Sequence, residues 1–149
     1  MNYTIDASVF VASARKNEPH HSESLKFLAQ IRAQQLSVVC PSLVLAECGA
    51  AIVRRTSDSA LALRLVFLVK NFPELRLVDI STPRAERAAQ IAAAHRLRGA
   101  DSIYVAVAEE FTATLITWDT EMLERSPAVV TTLSPIDWIN NQTAGEQKL

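Results

Sequence analysis

Four acidic residues stand where the surrounding sequence disfavours a charged side chain. Asp6 interrupts the apolar run YTIDASVF, and Glu47 has apolar residues three and four positions away on both sides, which places it in the apolar stripe of a helix. Asp101 opens DSIYVAVA, and Asp119 closes the run TLITWD. Because an unpaired buried carboxylate is costly, such positions indicate either a structural partner or a chemical role.

Each of these residues also has a structural alternative. Asp6 and Asp119 suit the N-cap of a helix, and Asp101 suits a first helical turn, where the helix dipole favours a negative charge. Glu47 is long enough to bend out to water from the edge of its stripe. Glu121, by contrast, is interpreted as solvated helix surface. The residue types alone leave both explanations open.

The chemical alternative depends on the four carboxylates meeting at one place. Like charges a few ångströms apart cannot all stay ionised unless some pKa values rise or a divalent cation lies among them. A site of oxygen ligands alone selects hard cations, so magnesium or manganese is favoured over zinc or copper. The sequence does not show whether the carboxylates meet.

The elements that would position them alternate along the chain. Apolar β-branched runs predict strands, helical spacing of apolar residues predicts helices between them, and SPID predicts a capping box for a last helix. We predict strands over 2–6, 36–40, 75–80, 113–118 and 128–133, and helices over 8–14, 19–35, 42–55, 61–72, 82–97, 101–111 and 119–125. This order predicts an α/β fold of three layers, α/β/α, with a central, mostly parallel sheet of about five strands. Its functional cleft is expected beyond the carboxyl ends of the strands.

One domain is predicted over residues 1–139, followed by a polar C-terminal tail without regular structure over 140–149. Asp79 leaves a strand that we interpret as an edge strand and is therefore kept out of the acidic set. The helix over 61–72 has an apolar face that suits either the core or a homodimer interface. The residues of that face are Leu61, Leu65, Leu68 and Phe72.

Composition excludes several classes of function. The net charge of −1 argues against a protein that coats nucleic acid non-specifically. Only three glycines are present, too few and too scattered for a phosphate-binding loop of the nucleotide-hydrolase or dinucleotide type. Cys40 and Cys48 lack the spacing and companion ligands of a zinc or redox site, so we expect buried hydrophobic thiols. No apolar run is long enough for a membrane span, and we expect a cytoplasmic location.

Four segments, taken together, resemble the PIN-domain ribonucleases, and especially the VapC-like toxins of bacterial toxin–antitoxin pairs. They are YTIDASVFVA, CPSLVLAEC, RLRGADSIYVAVAEE and LITWDTEML, and they extend over nearly the whole chain in the family's order and spacing. The family's acidic quartet matches Asp6, Glu47, Asp101 and Asp119. Its hydroxyl positions match Ser8 and Thr117.

The resemblance implies a magnesium-dependent endoribonuclease in which manganese substitutes for magnesium. It implies Asp6, Asp101 and Asp119 as direct metal ligands and Glu47 as a ligand or as the residue that orients the attacking water. Ser8 and Thr117 would then hold water and carboxylates in place. The implied partners are an RNA substrate, a small cognate antitoxin protein and a second copy of the chain.

An acidic pocket repels RNA, so basic residues at its rim are expected to compensate. Arg54 lies seven residues after Glu47, two turns along the same helical face. Arg15 and Arg98 flank the other motifs and are further candidates for phosphate contacts. Ordinary surface charge explains each of them equally well.

Two other functions compete with the nuclease. A catalytically silent PIN-like binding or scaffold module would not depend on the carboxylate of Asp6. A receiver-like or haloacid-dehalogenase-like domain would use Asp6 as a phosphoryl acceptor. It is disfavoured because position 8 is a serine, where the D-x-D signature of the dehalogenase class needs an aspartate.

Overall fold

Five short strands form one parallel sheet in the computed structural model, which describes residues 1–148. The strand order is β3-β2-β1-β4-β5, and every neighbouring pair is parallel. The strands are β1 (Asn2–Ile5), β2 (Ser37–Pro41), β3 (Leu75–Val78), β4 (Ala113–Ile116) and β5 (Thr132–Leu133). The predicted fold class is confirmed, with parallel pairing throughout.

Among the described residues, eight α-helices connect and cover the strands. They are α1 (Ala7–Ala14), α2 (His21–Ala33), α3 (Leu43–Thr56), α4 (Ser59–Lys70), α5 (Thr82–His95), α6 (Gly99–Glu110), α7 (Thr120–Arg125) and α8 (Pro135–Glu146). Helix α6 packs against β1, β2 and β4, and α5 packs on α6. Helix α1 packs against α2 and α3, and α3 packs closely on α4. Within residues 1–148, no helix combines the length and the apolar character that crossing a membrane requires.

The core is built around the central strand β1. Tyr3, Thr4 and Ile5 are all buried, as expected for a parallel strand covered on both faces. The buried hydroxyl of Thr4 donates a hydrogen bond to the carbonyl of Val39 at 2.8 Å, so this polar group is paired within the core. Such burial fixes β1, and with it the backbone that carries Asp6.

The order of strands across the sheet changes direction between β1 and β4. From β1 the connections run to β2 and β3 on one side, and β4 and β5 lie on the other side. In open parallel sheets, this switch point opens a crevice at the carboxyl ends of the strands. Asp6 directly follows β1, and its backbone N–H donates to the carbonyl of Ile116 in β4 at 2.9 Å.

Two predicted boundaries differ from the structure. The last strand was predicted over 128–133, but it comprises only Thr132 and Leu133, because the chain first makes a 3₁₀ turn over Ser126–Ala128, which contains a proline. The segment 140–149 was predicted to lack regular structure, but α8 continues to Glu146. Ser134 caps this helix, and the buried Trp138 anchors it. The domain boundary at residue 139 stays a prediction, and Leu149 lies outside the described residues.

The structure also shows where the two cysteines, Asp79 and the apolar face of α4 lie. Cys40 and Cys48 are free and buried, and Asp79 is exposed at the end of β3, an edge strand of the sheet. The apolar face of α4 is divided: Leu65 is 5% exposed, whereas Leu68 is 57% exposed. Part of this face is therefore core and part is surface.

Candidate active site

The four predicted carboxylates line one cavity of about 450 Å³ at the carboxyl end of the sheet. Two of them follow the neighbouring parallel strands β1 and β4, and the other two project from α3 and α6. Helix α6 packs against both strands, and α3 packs against α1, the helix that follows β1. Glu47 comes from the second turn of α3, and Asp101 from the first turn of α6. Residues spread over more than a hundred positions therefore meet because the central strands end at the same edge. The four are Asp6, Glu47, Asp101 and Asp119.

Asp6 is the most deeply buried of the four, with 6% of its surface exposed. Its Oδ2 accepts hydrogen bonds from the hydroxyl of Thr117 at 3.0 Å and from the backbone N–H of Ser8 at 3.4 Å. Burial raises the pKa of Asp6 from 3.8 to about 6, although these two hydrogen bonds oppose the rise. The charges of Glu47 and Asp101 add to the rise. Asp6 also caps α1, as its structural alternative predicted.

Thr117 connects two of the acidic residues. Its hydroxyl donates to Asp6 and accepts from the backbone N–H of Asp119 at 3.0 Å. The hydroxyl of Ser8 accepts a hydrogen bond from the backbone N–H of Trp118 at 3.1 Å, and the backbone N–H of Ser8 donates to Asp6 at 3.4 Å. Both hydroxyls thus fix the chain that carries the carboxylates.

Asp101 and Asp119 share one arginine. Arg98 Nε lies 2.9 Å from Asp101 Oδ2, and Arg98 Nη2 lies 2.6 Å from Asp119 Oδ2. The Arg98 side chain is 62% exposed, whereas those of Asp101 and Asp119 are 12% and 27% exposed. Burial raises the pKa of Asp101, and the Arg98 guanidinium opposes that rise. Within residues 1–148, Asp6 and Glu47 have no such arginine or lysine partner.

Glu121 lies close to two of the four carboxylates. Single carboxylate oxygens of Asp101, Asp119 and Glu121 all lie within 4.8 Å of one another, whereas Asp6 and Glu47 belong to no such group among the described residues. The Glu121 side chain is 32% exposed at the surface of α7 and does not line the cavity. Sequence reasoning did not include Glu121 in the acidic set. Its position two residues after Asp119, in the first turn of the short helix α7, was the available signal. Arg98 reaches this carboxylate too, at 3.8 Å.

Glu47 carries the clearest unpaired polar atom in the cavity. Its Oε1 is buried and makes no well-formed hydrogen bond among the described residues, and the hydroxyl of Tyr104 is buried and unpaired as well. Burial raises the pKa of Glu47 and the charge of Asp101 raises it further, whereas the nearby Tyr104 hydroxyl opposes the rise. A buried carboxylate with no arginine or lysine partner is stabilised by a proton or by a cation, so Glu47 fits a metal ligand.

The three predicted RNA-binding arginines occupy different places. Arg98 lines the cavity, but its guanidinium is paired with carboxylates. Arg54 is exposed and does not line the cavity, whereas its neighbour Arg55 does. Arg15 and Arg55 both pair with Glu18, at 3.0 and 2.8 Å. Sequence reasoning missed Arg55 because Glu18, which holds it, belongs to a distant loop.

An aromatic pair completes the wall of the cavity. The rings of His20 and Trp118 stack with centroids 3.9 Å apart and an angle of 10° between their planes. Both residues line the cavity beside Ser8 and Asp119. No sequence pattern singled them out, because one lies in a loop and the other follows a strand.

Comparisons with known proteins agree with this architecture. A model of the PIN domain family matches residues 3–126. Among solved structures, VapBC2 from Rickettsia felis bound to a promoter DNA fragment matches with a TM-score of 0.69 and 16% identity, covering 90% of this chain and 98% of that chain. VapC20 from Mycobacterium tuberculosis, described as a sarcin-ricin loop cleaving toxin, matches with a TM-score of 0.68 and 16% identity, covering 82% and 93%.

A third structure, PAE2754 from Pyrobaculum aerophilum, is 21% identical, with a TM-score of 0.68 and coverage of 97% of this chain and 96% of that one. At these identities the structural matches show a shared fold. A comparison with curated proteins gave no match. The family model extends over most of the sequence and includes all four carboxylates. The chain therefore belongs to the PIN domain family.

Proposed function

We propose that the chain is a divalent-metal-dependent endoribonuclease that hydrolyses phosphodiester bonds in RNA. The observation that carries this proposal is that four carboxylates line one cavity, while Asp6 and Glu47 have no arginine or lysine partner among the described residues. Arg98 is the one cationic side chain that pairs with this set in the described part of the chain, and it reaches only Asp101 and Asp119. A bound cation best explains why the other two carboxylates are kept in the same cavity.

The donor set fits magnesium or manganese. The four acidic residues that line the cavity offer carboxylate oxygens, and neither of the two free cysteines lines it. We assign Asp6, Asp101 and Asp119 as ligands, with Glu47 as a ligand or as the residue that orients the attacking water. When bound, the metal supplies Lewis-acid chemistry that activates water and stabilises the negative charge developing on the phosphate.

The remaining residues of the site act by holding these groups. Thr117 donates to Asp6 and accepts from the backbone of Asp119, so the two carboxylates keep a fixed spacing. Arg98 reduces the repulsion between Asp101 and Asp119. Since the metal would take over that task, the guanidinium would then be free to contact a phosphate of the substrate. Arg55 lies at the cavity wall and offers a second such contact.

We further propose that the chain is the toxin of a toxin–antitoxin pair and acts in the cytoplasm. Support comes from the structural relatives, which include a VapBC2 complex and a toxin that cleaves the sarcin-ricin loop. The partners proposed are an RNA substrate, a small antitoxin protein and a second copy of the chain. Three large apolar side chains on α4 favour a protein interface, since Leu63, Phe67 and Leu68 are 57–68% exposed.

A cleavage assay with matched variants separates the nuclease from a silent scaffold. Asp6→Asn and Asp119→Asn are expected to stay folded and to lose RNA cleavage in magnesium or manganese, because each removes a charged ligand. Asp79→Asn is the matched control, since Asp79 is an exposed aspartate at a strand end that does not line the cavity. Equal cleavage by the wild type and both site variants would refute the proposal.

A further inference from the structure

The stacked pair of His20 and Trp118 is separate from the close carboxylate group of Asp101, Asp119 and Glu121. Their rings lie 3.9 Å apart and nearly parallel, at 10°, and both line the acidic cavity. Trp118 directly precedes Asp119, so the stack lies beside the carboxylates that we assign as ligands. A flat aromatic surface at this place is suited to the flat face of another ring.

Trp118 is held rigidly from two sides. Its indole N–H donates to the hydroxyl of Ser24 at 2.8 Å, and its backbone N–H donates to the hydroxyl of Ser8 at 3.1 Å. Ser24 is fully buried, so the hydrogen bond that holds the indole is made to a residue of the core. A ring fixed before binding loses little conformational freedom when a ligand arrives.

His20 is exposed, and its backbone conformation places the imidazole against the ring of Trp118. It precedes α2 with a φ of 63°, a left-handed conformation that a residue with a side chain adopts at some cost. Its side chain makes no capping hydrogen bond, so helix capping does not explain the conformation. The neighbouring His21 contacts the carbonyl of Ala12 at 2.8 Å, which ties down the adjacent backbone. The result is an exposed imidazole supported from below by Trp118.

We propose that His20, supported by Trp118, forms a stacking platform for a nucleobase of the strand whose phosphate lies at the acidic cluster. The proposal rests on the proposed function, which makes the ligand an RNA strand, and it adds a subsite that binds the base. Stacking on an aromatic side chain is tolerant of base identity, because every base presents a π-face. The platform therefore sets the position of the strand and contributes little to sequence choice.

Binding of a short fluorescent single-stranded RNA, measured in EDTA and low salt, tests the platform without metal-dependent cleavage. His20→Ala is expected to weaken binding by about 5-fold or more, given the usual strength of base stacking on aromatic rings. His20→Phe is expected to keep wild-type affinity, because it retains a flat ring. His95→Ala is the matched control, since His95 does not line the cavity.

The same strand made abasic distinguishes stacking from a charge contact. If His20 binds a base, His20→Ala leaves the affinity for the abasic strand unchanged. Equal weakening for both strands, or failure of His20→Phe to retain binding, would mean a contact with phosphate and would overturn the proposal. Absence of any RNA binding would overturn it too. Base-dependent binding without cleavage in manganese would refute the proposed function and leave the platform standing.

Discussion

Replacing Arg98 with glutamine removes the guanidinium that lies between Asp101 and Asp119. In the structure this group pairs with the two carboxylates at 2.9 and 2.6 Å and approaches Glu121 at 3.8 Å. A divalent cation held by the same oxygens must displace it. Arg98→Gln is therefore expected to tighten binding of Mn²⁺.

The expected gain in Mn²⁺ affinity depends on how exposed the two ion pairs of Arg98 are. Because the Arg98 side chain is 62% exposed, water screens both contacts, and each pair is worth about 0.2–1 kcal/mol. Two such pairs correspond to a gain in Mn²⁺ affinity of about 2- to 30-fold. The gain should shrink in 1 M salt, where the screening length falls to about 3 Å.

Isothermal titration calorimetry with MnCl₂ measures this affinity directly. Arg98→Lys keeps the charge but not the planar fork, so it should lie between the wild type and Arg98→Gln. Arg96→Gln, a change to a nearby exposed arginine that does not line the cavity, is the matched control and should change nothing. An unchanged or weaker affinity in Arg98→Gln would refute the competition between guanidinium and metal.

Three further predictions concern stability and assembly. Because folding raises the pKa of Asp6 from 3.8 to about 6, this residue should contribute a loss of roughly 3 kcal/mol in the stability of the metal-free protein as the pH rises through that interval. Asp6→Asn should reduce the loss between pH 4 and pH 7 in urea unfolding by that amount, leaving the part due to Glu47 and Asp101, and an equal pH dependence in both proteins would contradict it. Tyr3→Phe leaves the buried indole N–H of Trp138 without its 3.0 Å acceptor and should cost about 1–3 kcal/mol in the same assay, whereas a change near zero would contradict this. Phe67→Asp, on the exposed face of α4, should shift a dimer to a monomer in light scattering, and an unchanged mass would contradict the proposed interface.

The general position of the site was predictable because it depends on short-range sequence patterns. Alternating strands and helices indicate a parallel sheet, and residues that follow strands such as β1 and β4 must then meet at one edge. Asp6 and Asp119 were found in this way. Glu47 was found because a carboxylate in an apolar helical stripe needs a partner.

The remaining details depend on contacts between distant parts of the chain. Helical geometry placed Arg54 on the face of Glu47, but Arg55 reaches the cavity wall, where Glu18 of a different loop holds its guanidinium. The pairing of Arg98 with carboxylates from two elements likewise has no local signature. The stack of His20 on Trp118 joins rings that are 98 positions apart in sequence. Such contacts are selected by tertiary packing, which single-sequence patterns do not report.

X-ray diffraction from crystals soaked in manganese tests the central claim most directly. The account predicts anomalous density in the cavity, within bonding distance of carboxylate oxygens of Asp101 and Asp119, with the Arg98 guanidinium moved away from them. Glu47 Oε1 should then have a partner, either the ion or a water bound to it. Crystals without anomalous density in the cavity, with Arg98 still paired to both aspartates, would contradict the metal site and the nuclease that depends on it.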